Sequence, residues 1–193
     1  MPDHVQMFYH VRILLGVVLA LAITRILSGL PRFFEHRSIK IVSVTHLFWI
    51  GTVLLMAIHF WWFQFGLIRV QTWHFSLFVF VLFYAFLFIL MANMLVPDEL
   101  REHRNYNDYF MSRRRWFFGL LAVTIPVDLV DTLLKGTAYY RSLGIEYPLR
   151  LICLLVLCAI AAWTQNRRFH VIFAGAYFVY LASWIVRLYE VLE

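Results

Sequence analysis

The chain has 193 residues, of which 63% are hydrophobic, 19% aromatic and 15% charged, with a mean hydropathy of +0.75, whereas soluble domains average about half apolar and a quarter charged. That balance excludes an ordinary soluble domain and points to an all-α polytopic membrane protein. The net charge of +6 does not imply nucleic acid, because the basic residues sit in short clusters between apolar runs, where lipid headgroups and membrane orientation account for them.

A spanning helix needs roughly 20 apolar residues, and six segments meet that length: about 11–30, 43–66, 72–96, 116–135, 147–165 and 168–190. The short connections leave room for one membrane domain over residues 1–193 and for no soluble one. The first run is too long for a signal-peptide core and lacks a small-x-small cleavage site, so the helix itself is expected to start insertion. It carries Gly16, Ala20, Thr24 and Ser28 at i,i+4 spacing, a row of small residues expected to pack closely against another helix. Arg25 lies near the end of the same span.

The second span holds His46 and His59, 13 residues apart. That is near the spacing that stacks two haems, and His170 would reach the depth of His46, but His74 is too shallow to pair with His59. No cofactor and no metal is expected. The third span, FSLFVFVLFYAFLFILM, is bulky on every face and fits the periphery of a bundle or an oligomer contact. Residues 97–115 are dense in charge of both signs and end in Arg113, Arg114 and Arg115. They are expected to form a short surface helix plus a turn.

The fourth span raises the main chemical question, since it places two carboxylates in WFFGLLAVTIPVDLVDTLLKG. A charge near the bilayer middle costs at least about 2.5 kcal/mol. Asp131 precedes Lys135 by one helical turn, so the two are expected to pair at the helix end and reach the outer interface. Asp128 lies about 12 residues beyond Trp116, roughly 18 Å into the membrane, and requires a partner, a proton or water. Pro126 removes a backbone donor just before it and is expected to kink the helix and free an acceptor.

Arg25 is the matching deep cation. RILLGVVLA from Arg12 and RWFFGLLAV from Arg115 share Arg-x3-Gly at an offset of 103 residues, and the same offset carries Arg25 onto Asp128. Two inverted three-helix halves would place both residues near the midplane. Three readings of the pair stay open: a structural ion pair, a gated pair that breaks during ion or proton passage, and an Arg25 that simply reaches the near interface. His59 falls in the same half of the membrane as Asp128 and Asp131, and the three together would form a pocket able to relay protons.

In the last two spans Arg150 and Arg187 read as interface anchors that would also make a positive rim favouring an anionic solute. Cys153 and Cys158 stand roughly 140° apart on a helix and read as packing residues. Lys and Arg are more numerous in the first, third and fifth connections (Arg32, Arg37, Lys40; Arg101, Arg104, Arg113, Arg114, Arg115; Arg167, Arg168) than on the other side. This places both termini outside a cell inner membrane.

No channel-filter, nucleotide-loop or metalloprotease motif occurs. The favoured function is a small transporter or channel subunit moving protons, ions or a small solute as a homo-oligomer, with Asp128, Arg25, His59 and Asp131 on the path. The alternatives are a non-catalytic membrane partner or sensor acting through 97–115, and an intramembrane enzyme or haem protein.

Overall fold

The computed structural model describes residues 4–35, 43–97 and 105–189. Among the described residues it contains seven helices and no strand: α1 (His4–Glu35), α2 (Val44–Phe63), α3 (Phe75–Leu95), α4 (Tyr106–Leu134), α5 (Thr137–Ser142), α6 (Glu146–Trp163) and α7 (Arg167–Tyr189). A 3₁₀ segment, Gln64–Arg69, continues α2. Six of these helices are long and apolar enough to cross a membrane, so the chain is a multi-pass helical membrane protein. The short α5, unforeseen from hydropathy, fills the connection between the fourth and fifth spans. Gly136 (φ 115°) and Gly144 (φ 68°) bound it, in a backbone region that costs glycine little and other residues more.

Local caps explain the helix starts. The Ser43 hydroxyl accepts from the His46 amide at 3.4 Å, and the Asn105 side chain accepts from the Asp108 amide at 2.8 Å, each satisfying a donor that an open first turn leaves bare. The Asn105 cap sets α4 going ten residues before the expected 116, so the helix expected within 97–115 is the first part of α4 itself over 106–115. At 1.5 Å per residue α4 is roughly 43 Å long, about 13 Å more than a bilayer core. The extension is held by its aromatic face, on which Tyr106, Tyr109 and Phe110 are buried with ring centroids 5.4, 6.3 and 6.1 Å from that of His46.

The arginine cluster therefore rides on a helix. Arg114 donates from Nε to the Thr164 carbonyl at 3.1 Å and from Nη1 to Met111 at 2.7 Å, covering a carbonyl at the C-terminal end of α6. The Arg115 guanidinium lies 5.0 Å from the Trp163 ring centroid. Only Arg113 points away, exposed.

Helix α1 packs along α3, α4 along α6, and α2 along α7, with α3 and α4 joining the two sides. The halves run in opposite directions, as three-span halves must. Their partners are not repeated, however: an inverted repeat would match the α1–α3 contact with one between α4 and α7, and α4 packs on α6 instead. Below, the two ends of the bundle are called the Lys135 end and the His46 end.

Most of the row of small residues on α1 does not pack against the rest of the chain. Ala20, Thr24 and Ser28 are exposed and Gly16 is only half-buried. The buried face is instead Val11, Leu15, Val18, Leu19, Ala22 and Ile26, because larger side chains that interlock with α3 make more dispersion contacts there. Close approach occurs at Gly29, where a Cβ would collide with Val96. Gly29→Val is expected to lower stability by about 1–3 kcal/mol through overpacking, and Ala20→Val on the exposed face by less than about 0.5 kcal/mol. Thermal melts of the detergent-solubilised variants measure both.

Candidate functional site

The Lys135 end gathers most of the chain's membrane-depth charge, beginning with the carboxylates of α4. Asp131 Oδ2 accepts from Lys135 Nζ at 2.6 Å and from Gln64 Nε2 at 3.0 Å, and neither the acid nor the lysine side chain has any exposure. The ammonium also sits 3.2 Å from the Phe63 ring centroid, a favourable cation–π position. The expected pair is present, and it is enclosed by protein: the 3₁₀ segment folds over it. Gly66 makes this possible, since a Cβ there would come within 2.9 Å of Lys135 Cδ. The lysine stem thus lies beneath bare backbone.

One turn earlier, Asp128 meets a different set. Tyr84 Oη donates to Oδ1 at 3.2 Å, Tyr147 Oη to Oδ2 at 2.9 Å, and Arg150 Nη2 to Oδ2 at 3.3 Å. Since Tyr147 has one proton and the carboxylate takes it, the Thr132 hydroxyl, 2.8 Å away, donates to the Tyr147 oxygen. Arg150 is stacked between rings, 4.7 Å from the Trp184 centroid and 5.1 Å from that of Tyr147. At the rim, Arg187 forks onto Glu146 at 2.8 and 2.6 Å, a two-point geometry that suits a guanidinium and a carboxylate, and Tyr180 Oη adds a bond at 3.1 Å.

His59 completes the group. With Asp128, Arg150, Tyr84, Tyr177 and Thr124 it lines a cavity of about 40 Å³. A second cavity of about 10 Å³, reaching Leu143, Trp184 and Leu188, shares His59, Phe63, Asp128 and Arg150 with it. These volumes suit single water molecules. Buried His59 Nε2 has no hydrogen-bond partner among the described residues, so it offers a donor or acceptor to whatever occupies the space.

On the other side of the cavity the bundle is dry. Trp49, fully buried, contacts Phe117, Phe118 and Phe173 with ring centroids 5.1, 5.3 and 5.3 Å away. The polar space therefore lies on the Lys135 side of an aromatic layer.

Of the expected pathway residues, His59 and Asp128 share a cavity. Asp131 belongs to the separate lysine network. Arg25 is absent from both: its Nη2 donates to the Val96 carbonyl at 2.8 Å near the His46 end, and the cation facing Asp128 is Arg150. Pro126 lies inside a continuous α4, where the Thr124 hydroxyl donates to the Leu121 carbonyl at 2.7 Å in the turn before it. The histidines of the haem reading are otherwise engaged, His46 Nε2 with the Leu95 carbonyl and His170 Nε2 with the Thr164 carbonyl at 3.2 Å. Both rings do pack on Phe110, at a common depth.

Tyr84, Tyr147, Thr132 and Gln64 escaped the sequence reading, and Arg150 was read as an anchor and part of a positive rim but not as the partner of Asp128. A signal did exist for two of them: Tyr147 and Arg150 are an i,i+3 pair opening α6, joined to α4 by a short connection, and antiparallel neighbours so joined bring residues on either side of the turn together. Protein-family models, curated proteins and solved structures give no match to this chain.

Lys135→Met strands the buried Asp131 charge and is expected to cost about 3–5 kcal/mol, most of which returns when Asp131→Leu is added. Unfolding of the two variants in detergent, followed by circular dichroism, gives the comparison.

Proposed function

We propose that the chain is a small membrane transporter that loads a proton or a small solute into the Asp128 cavity from the Lys135 end. The observation that carries this reading is a carboxylate–guanidinium pair, Asp128 with Arg150, beside an unpartnered histidine nitrogen and a cavity at membrane depth. In a purely structural ion pair, neighbouring space is expected to be filled, because an empty lining forfeits dispersion contacts. The roles follow from the chemistry. Asp128 accepts the proton, Arg150 is its counter-charge, and His59 passes the proton through cavity water. The Trp49 layer is the closed side of the path, so transport requires an alternation that opens it.

In the same reading the protein sits in a cell inner membrane with the Lys135 end and both termini outside, and it works as a homo-oligomer because six spans make a thin bundle. A partner or sensor role through residues 97–115 is less well supported. Arg114 and Arg115 are engaged on the end of α6, and residues 98–104 lie outside the described residues.

Proteoliposomes holding the wild-type chain are expected to pass protons down a pH gradient, and those holding Asp128→Asn to pass none while the variant elutes as the same oligomer. Equal flux in both, or flux in neither with a lowered melting temperature for the variant, would make Asp128 a structural residue.

A further inference from the structure

Helices α6 and α7 touch along little of their length. The gap between them is a groove of about 330 Å³, in the range of roughly 300–1,000 Å³ typical of ligand pockets, with a wall that is mostly apolar, Leu149, Cys153, Leu157, Phe173 and Ala176 among it, but that also includes Glu146, Arg150 and Tyr180. Leu149, Cys153 and Ala176 are exposed on the outside of the bundle, so the groove opens to the hydrocarbon of the membrane.

Its chemistry changes at one place. Arg150, Leu154 and Tyr177 line both this groove and the Asp128 cavity. Three side chains thus border both the apolar slot and the polar chamber, and two of them have hydrogen-bonding capacity to spare. Arg150 donates one hydrogen bond, to Asp128, out of the five a guanidinium can make. The Tyr177 hydroxyl has no hydrogen-bond partner among the described residues, while its ring is held by Trp49 and Phe173. A molecule that fits must be lipid-soluble along its length and carry a hydrogen-bond acceptor at one end. A slot between two helices admits one chain. Arg150 is the cation that faces both spaces, and the carboxylate that also lines the groove, Glu146, is already held by Arg187 and Tyr180, which leaves an anionic head favoured over a neutral one.

We propose that the α6–α7 groove binds a single-chain lipid anion, a fatty carboxylate, with its tail along the groove and its head at Arg150 and Tyr177. Taken together with the transporter reading, on which this part rests, the amphiphile is the substrate and its carboxylate competes with Asp128 for Arg150. Protonation of Asp128 then releases Arg150 to the ligand, so proton loading and substrate binding are coupled through one guanidinium.

The test is binding of radiolabelled oleate to the full chain in nanodiscs of zwitterionic lipid, with oleyl alcohol and acetate as competitors. Saturable binding is expected above that of empty nanodiscs, displaced by unlabelled oleate and by neither the alcohol nor acetate. Ala176→Trp, which fills the groove from its exposed wall, is expected to weaken binding at least about tenfold, and Asp128→Asn to tighten it about threefold or more. In the unaltered protein, oleate is expected to slow the reaction of exposed Cys153 with N-ethylmaleimide while the buried Cys158 serves as the internal reference. Uptake no greater than in empty nanodiscs, displacement by oleyl alcohol as effective as by oleate, or Cys153 reactivity unchanged by oleate overturns the inference. Saturable oleate binding without proton flux upholds this site and removes the transport reading; flux without oleate binding does the reverse.

Discussion

The bilayer core contains no water to solvate a charge, so every ionised group at membrane depth must find its counterpart in the protein. Three pairs at the Lys135 end meet that demand in graded fashion. Asp131 with Lys135 is fully enclosed, Asp128 with Arg150 is exposed by 17% and 12%, and Glu146 with Arg187 by 39% and 52%. The outermost pair is worth little in itself, as exposed pairs generally contribute about 0–1 kcal/mol. The innermost matters through what its rupture would leave behind, an uncompensated buried charge. Between the two lies the pair with both a partner and neighbouring space, and it is there that the arrangement can change state at moderate cost.

These pairs also decide which helices belong together. Asp128 with Arg150 ties α4 to α6, and Arg187 with Glu146 ties α7 to α6 where the two helices otherwise diverge and leave the groove. Gln64 ties the 3₁₀ segment over α4. At the His46 end an exposed ion pair, Arg167 with Asp108 at 3.0 Å, shares the same task with backbone contacts and packing: His46 on the Leu95 carbonyl, His170 and Arg114 on that of Thr164, and an aromatic layer around Trp49. The molecule is accordingly polar and hollow in one half, dense and dry in the other. A close-packed aromatic layer has few alternative arrangements, whereas the cavity end contains groups with spare hydrogen-bonding capacity. The proposed function accordingly uses the hollow half.

Two of the expected contacts are absent within the chain, for a common reason. Arg25 was matched to Asp128 by counting along the chain, and the row Gly16, Ala20, Thr24, Ser28 was matched to a helix contact by spacing. Both signals are one-dimensional, and neither says which face of α1 turns inward. That choice is made by packing, and the bulkier face of α1 won. The extension of α4 was hidden for a related reason. Its polar residues masked the i, i+3, i+4 aromatic set of Tyr106, Tyr109 and Phe110, which becomes a core face only because His46 lies opposite.

By itself the sequence determined the all-α class, the six spans, the pairing of Asp131 with Lys135 and the exceptional position of Asp128. All of these follow from local periodicity, from hydropathy over a fixed membrane thickness, or from the cost of a charge in lipid. Only the tertiary structure decided that Arg150 and two tyrosines answer Asp128, that the Lys135 ammonium is sealed beneath Gly66, and that a groove between α6 and α7 adjoins the polar cavity. Those outcomes depend on which helix faces which and at what rotation, and in a bundle of similarly apolar helices that is settled by shape and by a few long-range polar contacts.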